Sequence, residues 1–281
     1  MTQIRTMARK FAHGLAKKVL GWSGALRGGR LACITREHFE PTCGIRTACG
    51  RKVLFFTPNL LTRHRAKCML LKEPETIAWI EGFAASDVLL DVGANVGTYT
   101  MFAAARGHRV VAVEPEAGNY CLLNRNIALN GFDSIVEAYC VGLGASEGYF
   151  KLHLSTTQIG NSMHQLGAPL DFEGSSFNPA FRQGAVGTTL DSFVHAIGVV
   201  PDHIKIDVDG LEAMVLAGGV RLLASRKIKS ILVELNDDRA DHREAMESLR
   251  RFGYAPTLRS AIATEGQFAA CSNYVWVLEH T

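Results

Sequence analysis

Residues 88–114 read as one unit: a short apolar strand, a turn built on glycine, a helix, and a second strand that ends in an acid. Apart from Asp91, Val88–Val92 is continuously apolar, the pattern of a strand buried on both faces. The run stops at Gly93. Gly93 and Gly97 carry no Cβ, so the backbone is free to turn sharply and a ligand to approach it closely. A helix starting near Gly97 aims its unsatisfied N–H groups and positive dipole end into the crevice beyond the carboxyl ends of the strands, where open α/β sheets bind ligands. Glu114 closes the second strand about 20 residues after the turn, where an acid accepts hydrogen bonds from both hydroxyls of a ribose. The expected ligand is a nucleoside.

The details separate one nucleoside from another. A dinucleotide fingerprint has glycine at three positions, whereas this turn has Gly93, Asn95 and Gly97, preceded by Asp91 inside the strand. A carboxylate there repels a pyrophosphate but suits a cationic or amino-acid-bearing ligand. Asp91, Gly93, Asn95, Gly97 and Glu114 together resemble the first two motifs of class I S-adenosylmethionine-dependent methyltransferases. A nicotinamide-dependent oxidoreductase is the alternative that Asn95 and Asp91 argue against.

Charge divides the chain. Residues 1–80 hold 15 Lys and Arg against 4 Asp and Glu, a net +11, while the remaining 201 hold 15 against 23, a net −8. Ile4, Met7, Phe11, Leu15 and Val19 recur at helical spacing among basic residues, a basic amphipathic helix that lies on an anionic membrane surface, serves as a transit sequence or packs on the domain. Four glycines within 21–29 read as a joint after it. No apolar run is long enough to span a bilayer, so a cytoplasmic protein with peripheral membrane contact is expected. Seven cysteines, at positions 33, 43, 49, 68, 121, 140 and 271, have neither zinc-ribbon spacing nor an even count, which argues for reduced thiols. The expected organisation is a basic extension over 1–70, containing a helix and a small β region, and an α/β domain over 71–281.

Within that domain a helix is expected over 76–82, introduced by Pro74 and Glu75, and another over 116–130, ended by Asn130-Gly131. A third strand is expected over 135–141. The turn after it, Val141-Gly142, is the candidate for reading the adenine through its backbone. Residues 148–154 alternate as a strand with one polar face, and the polar stretch 155–187 reads as a loop, with Asn161, Ser162, His164 and Gln165 as a candidate lid. The run His203 to Glu212 is a further buried strand whose end carries Asp207 and Asp209, and Glu234 lies near the end of the next. Lys205 shares a strand face with Asp207. Carboxylates gathered at one rim repel one another, which raises some of their pKa values and makes a general base. Such a rim also suits Mg²⁺ or Ca²⁺, but metal-free chemistry is preferred. Asp207 is expected beside the cofactor, Asp209, Glu234 and Lys205 in the catalytic group, and His203 or His164 as other proton acceptors. Residues 241–252 read as an amphipathic helix and 273–278 as a buried last strand.

Lys72-Glu73-Pro74-Glu75-Thr76, Asp91 to Gly97, Glu114-Pro115, Thr189-Leu190-Asp191, Ile204 to Gly210 and Val233-Glu234 resemble the FkbM-type family of S-adenosylmethionine-dependent methyltransferases, over about residues 70–280. Asp209 departs from the family, whose members more often carry Glu there. The resemblance implies a Rossmann-like class I methyltransferase sheet, mostly parallel with its last strand antiparallel. It also implies S-adenosyl-L-methionine as cofactor and O-methylation of a small molecule or glycan, commonly on a sugar or polyketide-type hydroxyl. A methyltransferase-fold protein that only binds is the other alternative, against which the intact acids count. A nucleic-acid acceptor is not expected, because the catalytic half is acidic and no Asp/Asn-Pro-Pro-Tyr motif follows Asp207.

Overall fold

The computed structural model describes residues 39–48, 50–169, 175–261 and 271–279. The basic helix and the glycine joint read within 1–29 lie outside the described residues. By contacts the chain divides into Met1–Pro41 and Thr42–Thr281, and every element below belongs to the second unit. The boundary expected at residue 70 falls inside that unit.

Strands β1 (Thr42–Arg46) and β2 (Lys52–Phe56) form an antiparallel hairpin. Helix α1 (Leu60–Lys67) follows, started by Asn59, whose Oδ1 accepts from the Thr62 amide at 2.8 Å. Helix α2 (Pro74–Glu81) has proline at its first position and Glu75 in its first turn, in keeping with the sequence reading. Then come β3 (Val88–Val92), α3 (Thr98–Ala105), β4 (Arg109–Val113), α4 (Ala117–Asn130) and β5 (Val136–Tyr139). The chain next leaves the main sheet for β6 (Gly142–Gly144), β7 (Gly148–Leu154), β8 (Gln165–Leu166) and β9 (Phe181–Thr189), which pair in the order β6-β9-β7-β8. It returns through α5 (Leu190–Ile197), β10 (His203–Ile206), α6 (Glu212–Ala217), α7 (Val220–Ala224), β11 (Ser230–Asn236), α8 (Ala240–Arg251), β12 (Tyr254–Ala261) and β13 (Cys271–Leu278).

The main sheet runs β12-β13-β11-β10-β3-β4-β5. Neighbours from β11 to β5 are parallel, and β13 runs antiparallel to both β11 and β12. Strand β3 alternates its side chains between two cores, Leu89 into one and Leu90 and Val92 into the other. The chain proceeds from β3 toward β4 on one side, whereas β10 lies on the other. This switch opens a crevice at the carboxyl ends of β3 and β10.

Two expectations need correction. The third strand ends at Tyr139, and Val141 lies in the connection to the second sheet. The loop expected over 155–187 contains β8 and most of β9, because pairing with β7 stabilises a stretch whose Gly184, Ala185 and Gly187 have little strand preference of their own.

The hairpin reaches the nucleotide turn through asparagines of α4. Asn126, fully buried, accepts from the Phe56 amide at 2.9 Å and donates to the Val96 carbonyl at 2.8 Å. Asn130 exchanges two bonds of 2.8 Å with Leu54. Asn126→Ala leaves two buried backbone groups unpaired and should cost about 2 kcal/mol. A urea unfolding curve should show a lower midpoint at unchanged slope.

Candidate active site

A cavity of about 600 Å³ opens at the switch point. Its floor is the turn after β3. There Gly93, Asn95 and Gly97 all have positive φ, at 81°, 52° and 90°. A Cβ on Gly93 would stand 1.9 Å from the Asp207 carbonyl oxygen, so this glycine is required by the close approach of two backbone segments. Gly97 precedes α3 against Leu123 and does not line the cavity.

Asp91 is 1% exposed, yet it borders the cavity. Its Oδ2 accepts from the Thr100 hydroxyl at 2.6 Å, while its Oδ1, equally buried, has no partner among the described residues. Burial raises its pKa against the opposing charge of Lys205. An orphaned buried carboxylate oxygen at a cavity wall is a receptor for a cationic donor. Across the turn, Glu114 takes the Asn95 amide on one oxygen at 2.8 Å and the Glu116 amide on the other at 2.9 Å. Burial outweighs these bonds and raises its pKa to about 7. Each oxygen keeps a lone pair for a hydroxyl donor.

Lys205 sits opposite Asp91 in the register of β10 and β3. Its ammonium is 2.8 Å from Asp207 Oδ2 and 5.1 Å from the centre of the Tyr99 ring. Burial works against the charge of both partners of the ion pair. Their mutual attraction prevails, raising Lys205 and lowering Asp207 to about 2. Lys205→Met leaves a charged Asp207 without its buried partner and should cost about 3 kcal/mol. A chemical denaturation series with the double variant Lys205→Met/Asp207→Leu should recover most of the loss.

Asp209 and Glu234 also face the cavity. Burial and the neighbouring Asp207 push Asp209 up to about 6 and Glu234 up to about 9. Glu234 is therefore a neutral acid at pH 7, able to donate a hydrogen bond, whereas Asp209 is ionised and able to take a proton. Among the described residues no group of three acidic, histidine or cysteine side chains is arranged to hold a metal ion.

The stretch between β7 and β8 straps the cavity. Asn161, Ser162, Met163 and His164 line it, and Gln165 lies buried in β8 behind them. The Met163 amide donates to Asp209 Oδ2 at 2.6 Å, Gln165 Nε2 donates to the Asp209 carbonyl at 2.6 Å, and Asn95 Nδ2 donates to the Asn161 carbonyl at 2.8 Å. Three of the four non-glycine residues with positive φ among the described residues, Asn95, Met163 and Asp209, meet at this strap. Backbone strain of this kind gathers where function fixes geometry.

Of the sequence candidates, Asp91, Gly93, Asn95, Glu114, Gly142, Lys205, Asp207, Asp209 and Glu234 border the cavity. Gly97 and Val141 do not; Val141 packs on the core instead. His203 is set apart at the opposite end of β10, bonded to Asp87 and Ser230 and stacked on Phe83 at 3.7 Å. Sequence reasoning misses the wall made by α1 and the residues after it, including His64, Arg65, Cys68 and Lys72. The Asn59-x-x-Thr62 capping pair is the signal for that helix.

The sheet order, its single reversed strand and a crevice floored by an acid-flanked glycine turn define the class I methyltransferase fold. The chain belongs to the FkbM methyltransferase family, whose domain model matches residues 91–256. Methyltransferase FkbM from Methylobacillus flagellatus is 18% identical, with a TM-score of 0.47, and the match covers 68% of this chain and 44% of that one. This chain thus spans less than half of that protein's length. The METTL16 methyltransferase domain is 12% identical over 85% of this chain and 87% of its own, with a TM-score of 0.49. TYW2 from P. horikoshii, solved with MeSAdo, is 12% identical over 85% and 70%, with a TM-score of 0.42. No curated protein matches the chain.

Proposed function

We propose that this enzyme transfers a methyl group from S-adenosylmethionine to a hydroxyl oxygen of a small molecule or glycan. The observation that carries the reading is the orphaned Oδ1 of Asp91, a buried carboxyl oxygen at the cavity wall that the ammonium or sulfonium end of this cofactor would satisfy. Gly93 and Asn95 offer the turn beneath it, Glu114 the ribose contact, and Gly142 the wall for the base. Asp207, fixed by Lys205, adds a second negative charge close to the cofactor's cationic end.

When bound, the cofactor supplies a methyl group activated by positive sulfur. The chain must hold an acceptor hydroxyl in line with that methyl and remove its proton as the oxygen–carbon bond forms. Asp209 takes the proton: it is ionised at neutral pH and fixed by the Met163 amide. Glu234, neutral, donates a hydrogen bond that orients the acceptor. A small acceptor rather than a nucleic acid agrees with the net negative charge of residues 81–281, which repels a long backbone with a phosphate at every nucleotide.

Calorimetric titration with S-adenosylhomocysteine tests the cofactor half of the reading, with micromolar binding expected. Incubation with methyl-labelled cofactor and a panel of hydroxylated acceptors tests the transfer. Absence of cofactor binding refutes the reading. Label appearing on nitrogen or carbon, and never on oxygen, refutes the acceptor class.

A further inference from the structure

The cavity has two electrically opposite walls. The acids Asp91, Glu114, Asp207, Asp209 and Glu234 come from the strand ends, whereas α1 contributes His64 and Arg65 and no acid. Lys72 also lines the cavity, but its ammonium is held by Glu73 at 2.6 Å. Arg65 is different. Its Nε donates to the Gly160 carbonyl of the strap, and the described residues give its two terminal nitrogens no carboxylate partner. The fork that guanidinium uses to grip a carboxylate or phosphate is therefore unspent. His64 stands one residue away, exposed at the mouth, with Cys68 Sγ 3.6 Å from its ring.

Arg65 is half-buried beside a cavity that must admit a second molecule, and among the described residues no carboxylate reaches its terminal nitrogens within hydrogen-bond distance. The Arg65 charge favours the ionised forms of Asp207 and Asp209, although burial still leaves Asp209 raised, and so lies near the carboxylate proposed to take the proton. We propose that Arg65 and His64 form an anion subsite, so that the acceptor is a hydroxyl compound bearing a phosphate or carboxylate a few bonds from the methylated oxygen. This assignment rests on the hydroxyl-transfer reading and narrows its substrate class. It also gives α1 a role, since the helix supplies a cationic wall for the acceptor's anionic group opposite the acids of the strand ends.

The carboxylate of the cofactor's own amino-acid end has the same chemistry, and the test separates the two sources. Wild-type protein and the Arg65→Gln variant, whose amide retains a donor for Gly160, are titrated with S-adenosylhomocysteine, with 5′-methylthioadenosine, and then, saturated with S-adenosylhomocysteine, with inorganic phosphate. The expected result is millimolar phosphate binding to the wild type that weakens at least tenfold in the variant, with both nucleoside affinities changed less than threefold. His64→Gln, on an exposed position that does not disturb the strap, should weaken phosphate about threefold. Phosphate binding that is absent from the wild type, or equal in all three proteins, overturns the subsite. Loss of S-adenosylhomocysteine affinity in Arg65→Gln with methylthioadenosine affinity intact assigns the cation to the cofactor and overturns it as well. Failure of the wild type to bind S-adenosylhomocysteine instead removes the underlying methyl-transfer reading, and the subsite falls with it.

Discussion

Replacing Asp91 by alanine should weaken S-adenosylhomocysteine binding by about 100-fold or more while leaving the free protein as stable as before. The two halves of that expectation come from the same atoms. In the free protein Oδ1 is buried with no partner among the described residues, and burial raises the carboxyl pKa above its ordinary value. A carboxyl whose folded pKa is raised costs stability above its unfolded pKa, so at neutral pH the buried Asp91 carboxyl opposes folding. Its removal relieves that cost and offsets the lost bond to Thr100. In the complex the balance reverses, because a hydrogen bond to a charged group contributes about 1.5–3 kcal/mol and the enclosed site adds the attraction of opposite charges. Each 1.4 kcal/mol is about a factor of ten in affinity. Calorimetry for binding and thermal denaturation for stability read the two quantities separately. A large drop in melting temperature would mean that Asp91 is a structural acid, and retained binding would remove it from the cofactor site.

Much of the site is legible in the sequence because its parts are local. Asp91 to Gly97 is a strand end, a turn and a helix start, and the spacing that produces it operates over a few residues, as does the run from Lys205 to Glu212. What escapes depends on distant partners. Helix α1 is short, and it reaches the cavity only because its Ala66, with Met69 just after it, packs with the hairpin and α2 in one core. Its cationic face therefore reads as part of a general basic excess. Strand β9 reads as loop because its glycines hide it, and only its register with β7 reveals it. For His203 the error is one of direction. It begins the strand that Asp207 follows, and at about 3.3 Å per residue four positions put some 13 Å between them. Val141 falls at the adenine turn only when the third strand is drawn two residues too long. The charge states of Asp209 and Glu234 lie beyond any one-dimensional reading, since burial and Asp207 set them together.

Asp209→Asn should lower turnover by about 100- to 10,000-fold, the range a positioned general base supplies, with S-adenosylhomocysteine affinity changed less than threefold. The amide is the informative replacement. Its oxygen still accepts from the Met163 amide, so the strap stays closed, but it cannot take a proton. Alanine would remove both functions and confuse strap opening with lost proton transfer. The pH profile supplies an independent check. Asp209 must be ionised to act, and burial beside Asp207 puts its pKa at about 6. Turnover in the wild type should therefore rise with pH through about 6. Glu234 must stay protonated to donate, and with its pKa raised to about 9 the rate should fall again above that value. Asp209→Asn should flatten the acid limb and leave the alkaline one. Glu234→Gln, which keeps a donor at every pH, should flatten the alkaline limb while retaining most of the turnover. An unchanged acid limb in Asp209→Asn would assign the proton to another group, and His164, which lines the same cavity with its pKa lowered by burial, would be the next to replace.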